Sequence, residues 1–111
     1  MDGIAPILGV KSAAMHVIKK KTLQDFWTRH PPAELPLRAW LKDAERAEWR
    51  TMHDIKAYAR SADMVGDNRV AFNIGGNKFR PVVLCLLTKG RLYIRFVGTH
   101  AAYDRIDARK I

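Results

Sequence analysis

Hydrophobic and polar positions change rhythm once along this chain, near residue 69. Before it, apolar residues recur at helical spacings; after it, they alternate. His16, Val17 and Ile18 make a short apolar run suited to an edge strand. Leu23, Phe26 and Trp27 then fall three and four apart, predicting a helix over residues 22–29. Thr22 is its expected N-cap, with Asp25 three residues on, and Pro31-Pro32 its stop. A second helix is expected over residues 36–49, where Leu37, Trp40, Leu41, Ala44, Ala47 and Glu48 trace one stripe. Core packing of a helical hairpin is the reading preferred for Trp27, Trp40 and Trp49 over stacking on nucleobases. Thr51 should cap a short third helix over residues 52–60, with Ile55 facing inward. Residues 61–68 read as a loop.

Val70, Phe72 and Ile74 open the alternating half. Gly75-Gly76 is expected as a two-residue hairpin turn, since glycine supplies the positive φ that primed turns need. A longer apolar strand over residues 78–87 carries Pro81, which lacks a ladder donor and so signals an edge or a bulge. Residues 88–91 make a second turn, residues 92–97 a third strand, and residues 100–105 a short helical turn. The order β, α, α, α, then three antiparallel strands is an α+β domain: a small antiparallel β-sheet with N-terminal helices packed on one face.

Charge adds a function class. The 111 residues hold 20 Lys and Arg against 11 Asp and Glu, a formal charge of +9, which favours a nucleic-acid, ribosomal or acidic-protein partner. Residues 1–14 are weakly apolar, broken by Pro6 and low in charge, and are expected to form an extension or an alternative start ahead of a domain over residues 15–111. No apolar stretch approaches the ~18 residues of a membrane span. Cys85, the one cysteine, lies in an apolar run as an inert thiol and fits a reducing cytoplasm. No His, Cys, Asp and Glu spacing suggests a metal, and none of the sequence patterns suggests a cofactor.

With two-residue turns in both hairpins, Asn73 faces Lys78, Ala71 faces Arg80, and Thr99 lies opposite Arg80. Side-chain alternation then projects Arg69, Asn73, Lys78, Arg80 and Arg95 from one face. The same sheet end releases His100, Tyr103 and Asp104, which share a side if residues 100–104 are helical. Metal-free RNA cleavage uses the 2′-hydroxyl as nucleophile. It needs a base, an acid and cations that stabilise the charged phosphorane-like transition state. His100 is a candidate proton carrier, Tyr103 a candidate proton donor or base-stacking surface, and Arg80, with Arg95 or Arg69, a candidate paired-donor grip on phosphate. Asp104 is the expected support of the turn. Against this, a single His after a strand more often serves as a cap, and Gly75-Gly76 is turn chemistry rather than a phosphate loop. His30 and His53 are read as surface residues.

Two blocks are more distinctive. Arg69-Val70-Ala71-Phe72-Asn73-Ile74-Gly75-Gly76-Asn77-Lys78-Phe79-Arg80 and Tyr93-Ile94-Arg95-Phe96-Val97-Gly98-Thr99-His100-Ala101-Ala102-Tyr103-Asp104 resemble the HigB-type toxins of the RelE superfamily. Met15-His16-Val17-Ile18, Phe26-Trp27 and Pro36-Leu37-Arg38-Ala39-Trp40 resemble that family too, so the likeness covers residues 15–107. It implies a RelE-like fold and a type II toxin that cleaves mRNA, commonly on the ribosome. A helix-turn-helix, HigA-like antitoxin from an adjacent gene would be its partner. By motif position it carries roles over to Asn73, Lys78, Arg80, Arg95, His100 and Tyr103 alone; the expected site then has Arg80, His100, Tyr103, Lys78 and Arg95 in catalysis and Arg69, Asn73 and Asn77 in RNA contact. The alternative reading is a non-catalytic RNA- or ribosome-binding module using the same basic face.

Overall fold

The computed structural model describes residues 14–111; the expected extension over residues 1–14 therefore lies, but for Ala14, outside the described residues. The chain runs β1 (His16–Ile18), α1 (Lys20–Arg29), a 3-10 turn (Pro31–Ala33), α2 (Glu34–Arg46), α3 (Met52–Tyr58), β2 (Asp63–Gly66), β3 (Arg69–Ala71), β4 (Phe79–Leu86), a 3-10 turn (Leu87–Lys89), β5 (Arg91–Thr99) and α4 (His100–Tyr103). The strands form one five-stranded sheet in the order β1-β5-β4-β3-β2. All neighbours are antiparallel except β1, which joins the edge parallel to β5. The α+β class and the helix-covered sheet are as expected, but the sheet is larger than a three-stranded meander.

Two helix limits differ from expectation. α1 starts at Lys20 behind Lys19, whose φ of 72° is left-handed and whose side chain caps nothing, so Thr22 sits inside the first turn. α2 stops at Arg46 because Ala47 is extended. Trp49 thus leaves the helix and packs as a linker residue against Tyr58 and Phe72, at ring distances of 5.2 and 6.2 Å. Thr51 does cap α3: its hydroxyl accepts from the Asp54 amide at 3.2 Å, and the Asp54 carboxylate accepts from the Thr51 amide at 3.1 Å. The Arg50 amide, donating to the same carboxylate at 2.9 Å, and the Thr51 amide hold the Asp54 carboxyl below its ordinary range.

Apolar stripes explain the main core. Leu23, Phe26 and Trp27 of α1 and Leu37, Trp40 and Ala44 of α2 are buried against Val70, Phe72, Phe79, Val83, Cys85, Leu92 and Ile94 of the sheet. Burial pushes the Cys85 thiol up to about 12, an inert core group as expected. His30 departs from a plain surface residue: its ring stacks on Phe26 at 4.3 Å.

Residues 61–68 are no loop. Asp63–Gly66 pairs with Arg69–Ala71, and the chain reverses at Asp67 and Asn68, both with positive φ of 52° and 65°. Short polar side chains that tolerate the left-handed region make this turn possible. The next turn is also longer than expected. Ile74 pairs with Phe79, and Gly75, Gly76 and Asn77 all take left-handed φ of 66°, 66° and 71°. Asn73 therefore does not face Lys78, and Ala71 pairs with Val82 rather than Arg80. The shift is two residues, so the faces survive it. At the β4–β5 hairpin a four-residue turn and a bulge leave a net shift of one. Arg80 pairs with Gly98, not Thr99, and Val97 with Pro81, not Val82. The bulge falls where Val82 pairs with Phe96 and Val83 with Ile94, leaving Arg95 unpaired beside Pro81's strand.

Candidate functional site

Arg80, His100 and Tyr103 gather on the sheet face away from α1 and α2. Arg80, Val82 and Leu84 alternate onto it from β4, and Ala71 and Arg69 from β3. The Arg95 bulge turns Phe96 onto this face, where it packs beside Val82 and Tyr103. The segment after β5 crosses here, with Ala108 buried and Ile106 and Ile111 packed around it.

Thr99 starts the crossing. Its hydroxyl accepts from the Ala102 amide at 3.2 Å and caps α4. Gly98 makes room for it: a Cβ there would lie 2.6 Å from the Phe96 ring and 3.2 Å from Ala102 Cβ. The His100 amide donates to the Lys78 carbonyl at 3.3 Å, tying α4 to the start of β4.

At the centre is Arg80, buried with 4% exposure. A buried guanidinium must be paired. Its Nη2 donates to Asp63 Oδ2 at 2.7 Å and to the Ala71 carbonyl at 3.3 Å. Its Nη1 lies 3.5 Å from His100 Nε2. Its Cζ stands 4.3 Å over the Tyr103 ring, a cation–π contact. Guanidinium nitrogens only donate, so the tautomer that suits this contact has the lone pair on His100 Nε2 and the proton on Nδ1. That Nδ1 is 3.8 Å from Asp104 Oδ1. His100 and Tyr103 meet edge to face at 6.3 Å. Arg80 is thus buried rather than free on the surface, and it contacts both His100 and Tyr103. The Asp104 side chain is otherwise exposed to solvent.

Other candidates lie apart from this hub. Lys78 and Arg95 are exposed and form no ion pair among the described residues. Arg69 sits at the far end of β3, where its Nε donates to the Ile111 carbonyl at 2.6 Å. Asn73 donates through Nδ2 to the Ser61 carbonyl at 2.8 Å. Asn77 is an exposed, left-handed turn residue. Asp63 was missed altogether, because its strand carries one β-branched residue, Val65, and no alternation. The Asp67-Asn68 pair before an alternating run was the available sign of a hairpin. Among the described residues, no three His, Cys, Asp or Glu side chains gather as a metal site, and no helix is long and apolar enough to cross a membrane.

Comparison with known proteins agrees with the resemblance in the two blocks. Residues 33–106 match the model of the HigB_toxin family, described as a RelE-like toxic component of a toxin-antitoxin system. The chain is 32% identical over 96 residues to the mRNA interferase toxin HigB of Escherichia coli K12, an alignment covering 85% of this chain and 92% of the relative. The mRNA interferases HigB of Escherichia coli O157:H7 and Shigella flexneri match to the same extent.

Proposed function

Because the chain belongs to the HigB toxin family, RelE-like toxic components of toxin-antitoxin systems, we propose that it is an endoribonuclease that cleaves mRNA at the Arg80–His100–Tyr103 cluster. An antitoxin is its partner by family. The convergence of a fixed guanidinium, an imidazole lone pair and a phenol on one sheet face carries the reading.

In the reaction, His100 Nε2 takes the proton of the 2′-hydroxyl, whose oxygen forms a bond to the adjacent phosphorus. The P–O5′ bond breaks, and the 5′-oxygen takes a proton from Tyr103, the other group at the hub with one to give. The products are a 2′,3′-cyclic phosphate and a 5′-hydroxyl, and no metal enters these steps. Charge on the pentacoordinate phosphate is met by Arg80 Nη1, with Lys78 and Arg95 as exposed cations that can swing to it. A paired-donor grip by Arg80 requires the phosphate to displace Asp63, whose side chain is 61% exposed and can move into water. Asn73, Asn77 and Arg69 contact the RNA further along the strand. The message is cut on the ribosome, in the cytoplasm, and the antitoxin is a HigA-like helix-turn-helix protein encoded beside the toxin. This reading is supported by the +9 charge and by the mRNA interferase activity of the relatives.

The test is expression without antitoxin, with growth and RNA ends followed together. Wild type should arrest growth and leave new 5′-hydroxyl ends within messages; the Arg80→Ala/His100→Ala double variant should do neither. Arrest with salt-sensitive RNA binding and no new ends would instead favour a binding module. Cleavage by the double variant would refute the site.

A further inference from the structure

Arg80 is buried, and the carboxylate that pairs with it is not. That asymmetry decides which donors a phosphate can reach. A guanidinium has five N–H donors, one on Nε and two on each Nη. Arg80 Nε is buried without a partner and has no surface to offer. Nη2 commits both of its hydrogens, one to Asp63 Oδ2 at 2.7 Å and one to the Ala71 carbonyl at 3.3 Å. Nη1, 3.5 Å from His100 Nε2, is what remains. The Asp63 contact is short enough for a charge-assisted bond, and a carboxylate, like a phosphate, only accepts. One Asp63 oxygen therefore stands where an oxygen of a phosphate held by two guanidinium nitrogens would stand.

We infer that Asp63 is a built-in competitor of the substrate phosphate, holding Arg80 Nη2 until RNA takes its place. The inference rests on the reading of the chain as an RNA-cutting toxin and adds to it that the free site blocks itself. The contacts around Asp63 suit that part. Its side chain is 61% exposed, and Arg80 is its one ion-pair partner among the described residues, so water solvates it when it leaves. The backbone beside it is fixed. The Ser61 carbonyl accepts from Asn73 Nδ2 at 2.8 Å, the Ala62 carbonyl accepts from Lys56 Nζ at 2.6 Å, and Asp63 itself pairs with Ala71 in the sheet. Release is thus a rotation of one side chain, with no strand moved. Arg80 keeps a paired charge throughout, because the phosphate arrives as the carboxylate leaves. The consequence is selection between substrates. A tethered carboxylate competes at high effective concentration, so loosely held RNA displaces it poorly and RNA presented with its phosphate in place displaces it well.

Binding of a short, fully 2′-O-methylated RNA, which cannot be cut, tests this on the full chain by fluorescence anisotropy at fixed salt. Asp63→Asn keeps an acceptor for Nη2 and removes the charge. It should bind roughly 3- to 30-fold more tightly than wild type, the worth of a charge-assisted hydrogen bond less what the amide retains. In cleavage of mRNA on ribosomes its KM should fall and its kcat should not, because Asp63 has already left in the bound state. Asp25→Asn removes the same charge from exposed α1 and should change binding less than about twofold. Asp63→Asn made in an Arg80→Leu background should gain nothing. Equal or weaker binding by a folded Asp63→Asn overturns the inference. So does an equal gain from Asp25→Asn, or a gain that survives the loss of Arg80. A fall in kcat with KM unchanged overturns it too, and makes Asp63 a residue that positions Arg80. Wild type supplies a second readout if the substitution unsettles the fold: the Asp63 carboxyl ¹³C signal should shift as the RNA saturates the site, and a signal that stays put contradicts displacement. The failures are separable. Cleavage by wild type with no tightening in Asp63→Asn removes the competitor and leaves the nuclease reading standing; tightening with no cleavage by wild type removes the nuclease reading alone.

Discussion

The two faces of the sheet solve opposite problems. On the helix side, Leu23, Leu37, Phe72, Val83 and Leu92 are sealed with no exposure above 1%, and the buried side chains there are apolar almost throughout. On the other side the buried apolar cluster is small, Ala71, Val82 and Ala108, and beside it lies the one charged side chain buried among the described residues, Arg80. A face covered by helices can afford no unpaired charge. A face covered only by α4 and the last residues can hold a guanidinium, because Asp63 remains half in solvent and pairs with it. The lesson is a division of labour: the apolar core is concentrated under the helices, and the proposed site sits where coverage is thin.

Breaking the helix side should cost folding first. Leu37→Ala removes a fully buried α2 side chain and should lower stability by about 2–5 kcal/mol, read by denaturant unfolding. RNA cleavage by the fraction still folded should be unchanged. Next comes Gly98→Ala, on the site side. The added methyl meets the Phe96 ring and Ala102, so a loss of about 1–3 kcal/mol is expected, accompanied by weaker cleavage because α4 carries His100 and Tyr103. A Gly98→Ala protein with full activity would show that α4 is not held to the sheet as described.

The smallest effect sharpens the comparison from outside both faces. Thr51→Ala removes the α3 cap and should cost about 1 kcal/mol with no change in cleavage. Because the folded Asp54 carboxyl is held below its ordinary value of 3.8, its stabilising contribution is present above that pH and is lost as pH falls through the lowered folded value. Wild type and Asp54→Asn should therefore converge in stability in strong acid and differ at neutral pH. An equal gap at both would contradict the capping box.

Much of this division was readable from residues, and its failures have physical reasons. The α2 stripe of Leu37, Trp40 and Ala44, the Thr51 cap and the change to alternation at Val70 are local patterns, and local patterns are what sequence carries well. His100, Tyr103 and Asp104 came together because one helical turn places them so. The register failed because turn length is set by left-handed residues, and Asn77 joined Gly75 and Gly76 in that conformation. The bulge at Arg95 has no local signature beyond Pro81 across the ladder. Asp63 could not be found by pattern, since its role is a single long-range ion pair with a residue 17 positions away.

The central claim is that Arg80 serves cleavage rather than stability. Arg80→Leu tests it most directly. Leucine suits the buried position, and Asp63, already exposed, is left in water, so the thermal midpoint should stay within a few degrees of wild type. Single-turnover cleavage of an mRNA, measured on ribosomes with saturating toxin, should fall by roughly 10²–10³-fold, the loss seen when a transition-state donor is removed. A folded Arg80→Leu protein that cuts within a few-fold of the wild-type rate would contradict the account.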